Sequence, residues 1–145
     1  MKRQFIYVIA GNGGQDAHDW ARMLLHMMIR YADRNGAITH VSYMDRSEGL
    51  RIKTAMIEVV GEVSFAWEIG VHRLNRISPF DAESRRATSF AAVTTSESQE
   101  PKWGTQIRSY VLNESGGFVT DHRTEKRTAN IYQVLEGQLD AVGVA

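Results

Sequence analysis

The chain has 145 residues, 17 basic and 17 acidic side chains, a formal net charge of zero and no cysteine. That length suits one domain with at most a small appendage, and the missing cysteines exclude a disulfide framework and thiolate metal sites. The balanced charge counts against a general nucleic-acid binder, which normally carries a visible basic excess, so any RNA contact has to rest on local patches. No charged-then-apolar leader opens the chain and no apolar run nears membrane-spanning length, so a soluble, cytoplasmic protein is expected.

In chain order, residues 4–10 (QFIYVIA) are apolar on both faces and predict a buried strand. The glycine-rich turn Ala10-Gly11-Asn12-Gly13-Gly14 opens a helix. Asp16 and Asp19 lie in its first turns, where acids suit the helix dipole. Ala17, Trp20, Leu24, Met27 and Tyr31 repeat at three- and four-residue spacing as one apolar face, and Asn35-Gly36 supplies the stop. A helix of about 20 residues, roughly 30 Å long, is expected. Residues 37–44 and 51–60 alternate as strands around the turn Asp45 to Gly49, and Gly61 breaks the second. Phe65 to Ile69 predicts a short helical or irregular piece.

Gly70 to Phe90, GVHRLNRISPFDAESRRATSF, is the most distinctive stretch. Val71, Leu74 and Ile77 mark a strand that stops at Ser78-Pro79, since proline cannot donate to a ladder. Thr88-Ser89-Phe90 and the following apolar run predict a second strand, leaving an exposed loop too long for a tight hairpin. Long ordered loops are usually functional. Arg73, Arg76, Arg85 and Arg86 flank the exposed Phe80. Guanidinium groups answer phosphates, and hydroxyls such as those of Ser78 and Thr88 can read the edges of unstacked bases. Thr94 to Lys102 (TTSESQEPK) is polar and small, and predicts a linker. WGTQIRSYVLN, a turn at 114–117 and an extended 118–124 follow. Ile131, Val134, Leu135 and Leu139 then fall at helical spacing across 129–139. The expected fold is α+β: a mostly antiparallel sheet packed on one long helix, with a small C-terminal strand and helix portion docked onto it.

The stretch around Ser78-Pro79-Phe80 resembles the decoding segment of bacterial class-1 peptide chain release factors of type 2. AGNGGQDAHDWARMLL resembles that family's entry to the decoding domain, and WGTQIRSYVL and VTDHRT its C-terminal portion. The resemblance implies a decoding domain over 1–93, a linker over 94–102 in place of the family's catalytic domain, and a C-terminal portion over 103–145. The family's N-terminal helical domain has no counterpart. It further implies that Ser78, Pro79, Phe80 and Thr88 recognise a stop codon of the UAA/UGA type. The backbone at the helix start, Gly13, Gly14, Gln15 and Asp16, would meet the first codon base. Arg73, Arg76, Arg85 and Arg86 would bind ribosomal or messenger RNA. The expected partners are the small-subunit decoding centre and the stop codon, engaged by a monomer, with a separate trans-acting catalytic protein as a further partner.

Gly13-Gly14-Gln15 also spells the tripeptide that the family uses to hydrolyse peptidyl-tRNA, but on a basic loop of the missing domain. Here it stands in the turn before the long helix, where glycine permits positive φ and close backbone approach. A chain of this length has a radius of gyration of roughly 15 Å and cannot span from codon to ester. A non-catalytic module that competes with or modulates termination is therefore expected. The alternatives are a minimal peptidyl-tRNA hydrolase or rescue factor using Gln15, and a decoding subunit working in trans. Two positions depart from the family: Ala87 replaces a histidine that stacks on a codon base, a contact of roughly 1–3 kcal/mol, and Asn75 replaces an aliphatic residue. The five histidines lack metal-ligand spacing, Met23, Met27 and Met28 suit core filling, and no cofactor is implied.

Overall fold

Eight strands in the order β2-β3-β1-β5-β4-β6-β7-β8 form one sheet, and one long helix covers its inner face. The structure is a computed structural model that describes residues 2–98 and 100–143. The strands are β1 (Arg3–Ala10), β2 (Ile38–Arg46), β3 (Ile52–Val60), β4 (Gly70–Ile77), β5 (Arg86–Thr95), β6 (Gln106–Asn113), β7 (Gly116–Asp121) and β8 (Arg127–Thr128). The helices are α1 (Gln15–Arg34) and the short α2 (Ile131–Leu135), with one 3-10 turn at Ala66–Glu68. The α+β class and the long helix are as expected.

α1 buries most of the face that its spacing marks: Ala17, Trp20, Leu24 and Met27 are wholly inaccessible and Tyr31 is half-buried, and Trp20, Leu24 and Met27 share one core cluster with Ile6, Val8, Ala55, Ile57 and Val93. Trp20 also donates its indole N–H to the His72 carbonyl at 3.0 Å and stands edge-on to Tyr110, with ring centroids 4.9 Å apart. Removing such a side chain from a core costs about 3–5 kcal/mol. β1 differs from expectation on its second side. Ile6 and Val8 are buried, but Phe5, Tyr7 and Ile9 are half-covered, because no helix lies on the outer face there.

The C-terminal portion does not form a separate layer. β6 joins the sheet beside β4, the one parallel pair among the described residues, with Val71 opposite Gln106 and Leu74 opposite Tyr110. A buried charge network fastens it: Arg108 donates to Glu68 at 2.6 and 3.0 Å and reaches Asp121 at 3.3 Å. Several boundaries move. Thr94 and Thr95 belong to β5, paired with Tyr7 and Ile6, because β-branched residues extend the ladder, so the connection spans 96–105. α2 ends at Leu135 rather than near 139, because the chain turns at Gly137 (φ 88°) against α1; a Cβ there would lie 2.5 Å from the Tyr31 nitrogen.

Candidate functional site

The site gathers where the start of α1, the β4–β5 loop and the β2–β3 turn converge at one end of the sheet. Antiparallel register decides which side chains face α1. Arg76 lies opposite Ala87 and Leu74 opposite Ser89 on the inner face; Asn75 lies opposite Thr88 on the outer. The strand's inner set is therefore His72, Leu74 and Arg76.

Arg76, expected to bind RNA, makes its ion pairs within the protein in this placement. Its side chain is 11% exposed. Nη2 bonds Asp16 at 2.9 Å and Asp19 at 2.8 Å, and Nε donates to Asp16 at 3.1 Å. The Ser89 hydroxyl donates to the other Asp16 oxygen at 2.6 Å. Burial pushes the Asp19 carboxyl up, but hydrogen bonds from Arg22 and Arg76 outweigh it and hold the group below its ordinary value. The Asp16 carboxylate is buried and bonded to Arg76 and Ser89, which leaves the backbone contact expected of this residue untouched. The inner ion cluster thus ties β4 and β5 to the first turn of α1.

The helix start stays open. Gly14 caps α1 with φ 69° and no side-chain capping bond, and Asn12, Gly13, Gly14 and Gln15 are all exposed. Free first-turn N–H groups at a helix start are donors for an acceptor or anion.

The β4–β5 loop, residues 78–85, is exposed but not slack. Asp81 and Ser84 amides donate to the Ser78 and Asp81 carbonyls, and the Ser78 amide donates to Arg85. Ser78 is nearly buried, and its hydroxyl accepts the Phe80 amide at 3.2 Å, so it shapes the turn. Asp81 accepts from the Glu83 amide at 2.9 Å and from Arg85 Nε at 2.9 Å, with Arg85 holding its carboxyl below the ordinary range. Pro79 and Phe80 are left at the tip, Phe80 with 37% exposure.

Arg85 therefore points into its own loop, although its side chain remains 70% exposed. Arg86 is exposed and donates to the Asn75 side chain at 2.7 Å and to the Leu112 carbonyl at 3.1 Å. Asn75 in turn donates to the Thr88 hydroxyl at 2.9 Å. The polar residue at 75 thus organises an outer-face chain, Arg86–Asn75–Thr88, that spacing gave no hint of. Of the four arginines, Arg73 alone has no hydrogen bond or ion pair among the described residues. Thr88 adjoins Ser89, whose hydroxyl bonds Asp16, so the strand end and the helix start are tied together at neighbouring residues. Among the described residues no group of His, Asp and Glu could hold a metal ion, and no helix is long and apolar enough to cross a membrane.

Residues 1–93 match the PCRF domain. The chain belongs to that family. Its relatives are release factors of type 2: it is 43% identical over 91 residues to peptide chain release factor 2 of Rickettsia typhi, a match covering 61% of this chain and 25% of that one. It is 47% identical over 228 positions to peptide chain release factor 2 of Pseudothermotoga lettingae, covering 94% and 62%. It superposes on RF2 of Thermus thermophilus with a TM-score of 0.83 and 26% identity, covering 95% of this chain and 65% of that one. The chain therefore spans between a quarter and about two thirds of these relatives' lengths. The 228-position alignment exceeds the 145 residues available, so a stretch of that relative has no counterpart here.

Proposed function

We propose that the chain is a decoding module of the release-factor-2 type, which enters the ribosomal A site, engages a UAA- or UGA-type stop codon and does not itself release the peptide. It would then compete with or modulate termination. One observation carries this reading. Asp16, next to Gln15, is bonded directly to Arg76, two residues before Ser78. The Gly-Gly-Gln turn and the Ser-Pro-Phe loop are thus fixed at one end of a rigid sheet, whereas codon and peptidyl ester lie a tRNA's length apart. One copy that seats Pro79 and Phe80 on the message holds Gln15 there too.

In this reading Pro79 and Phe80 supply apolar contact at the loop tip, and the open N–H groups at the start of α1 donate to a base edge. The Thr88 hydroxyl, oriented by Asn75, offers a further contact, and Arg73 with the exposed Arg85 and Arg86 meets phosphates. The test is binding to ribosomes carrying UAA, UGA or a sense codon in the A site, run beside a peptide-release assay. Stop-dependent binding without release is expected, and Gln15→Ala leaves occupancy within about twofold. Release by the wild-type protein that Gln15→Ala abolishes would establish a hydrolase instead. Release only in the presence of a second protein would establish a subunit working in trans.

A further inference from the structure

The β2–β3 turn reaches the recognition loop through one side chain. Arg51 places its guanidinium carbon 4.8 Å from the centroid of the Phe80 ring. The turn that carries it is closed from both sides: the Ser47 amide donates to the Arg51 carbonyl at 2.9 Å, and the Arg51 amide donates to the Glu48 carbonyl at 3.2 Å. The Arg51 side chain is only 15% exposed although its turn lies at the surface. Its other contacts are weak. Nη2 meets Glu48 at 3.2 Å, but that carboxylate is 86% exposed, and such pairs contribute little. Nε is buried and has no hydrogen-bond partner among the described residues. Arg51 also lies close enough to α1 to help, after burial and Lys53, to hold His18 below its ordinary range.

Seen from the loop, the same contact stands alone. Every hydrogen bond and ion pair made by residues 78–85 among the described residues stays within that segment. These bonds fix the loop's internal shape. The ring of Phe80, beyond them, rests on Arg51.

We propose that Arg51 is a positioning residue for the Ser78-Pro79-Phe80 loop, setting the angle at which Pro79 and Phe80 meet the message; this rests on the codon-binding role proposed above. A stacked guanidinium holds a ring by both charge and plane, which lysine reproduces only in part.

Two measurements test it. In the free protein, amide hydrogen exchange at residues 80–84 should rise about two- to fivefold in Arg51→Ala, the size expected of one partly exposed cation–π contact. Exchange in β4 and β5 should be unchanged, and Arg51→Lys should recover part of the protection. On stop-programmed ribosomes, Arg51→Ala and Phe80→Leu should each weaken binding, with the double variant no weaker than the worse single. Unchanged loop exchange in a folded Arg51→Ala protein, or fold-losses that simply multiply, overturns the proposal. If the wild-type protein binds no programmed ribosome, the codon-binding function fails, while a rise in loop exchange still supports Arg51 as the anchor of the loop.

Discussion

Replacing Arg76 by alanine separates an internal clamp from an RNA-binding arginine. One guanidinium serves two carboxylates whose side chains are 8% and 11% exposed. Removing it leaves two buried like charges facing each other, a class of change that costs about 3–5 kcal/mol. Asp16 keeps the Ser89 hydroxyl and Asp19 keeps Arg22 at 2.9 Å, which places the expected loss at the low end, about 3 kcal/mol. At a urea slope of roughly 2 kcal/mol per molar, the unfolding midpoint at pH 7 falls by about 1.5 M. The pH dependence carries the sign. With the cation gone, repulsion raises one carboxyl in the folded state, so the folded variant takes up a proton before the unfolded chain does. Its deficit therefore shrinks as the pH is lowered from 7 towards 5. Asp19→Asn added to Arg76→Ala removes the repulsion and restores part of the loss. A loss under about 1 kcal/mol at pH 7, together with a large drop in ribosome affinity, would refute the clamp and return Arg76 to the message.

Acid sensitivity centres on His72, which is wholly buried and donates from Nε2 to the Glu68 carbonyl at 2.9 Å while Nδ1 accepts the Tyr110 hydroxyl. Burial, then the Arg108 charge, pushes its pKa down to about 3, whereas the unfolded chain titrates near the ordinary 6.5. Stability is thus full above about pH 6.5 and declines as pH falls towards 3, by about 2 kcal/mol at pH 5; His72→Gln should flatten that part of a urea-denaturation profile. Gly117→Ala would set a Cβ 1.9 Å from the Val111 carbonyl oxygen across the β6–β7 hairpin, and thermal denaturation should register more than about 1 kcal/mol of destabilisation. Arg73→Ala should leave stability unchanged but reduce the salt dependence of ribosome binding by about one ion; an unchanged slope removes Arg73 from the interface.

The parts of the fold fixed by local periodicity were legible. α1 runs over the length that its apolar spacing implies, and β4 ends where Pro79 forbids pairing. What stayed hidden depends on partners far along the chain. Nothing local reveals that Arg76 turns inward, because the acids that draw it there lie 60 and 57 residues earlier. Arg51 carries no motif, and its meeting with Phe80 depends on how the β2–β3 turn sits beside a loop almost thirty positions on. The parallel pairing of β6 with β4, through which the C-terminal portion docks, is equally non-local.

That pairing has a consequence for how such a chain can be assembled. Gly70 faces Val93 and Val71 faces Gln106, so β5 leaves and β6 enters at the same end of the sheet, separated by the width of β4 alone. Two strand spacings, about 10 Å, separate the two ends. Ends this close set little constraint on the length of the chain that joins them, which is the geometry that tolerated insertions use. In this chain ten residues, 96–105, close that gap.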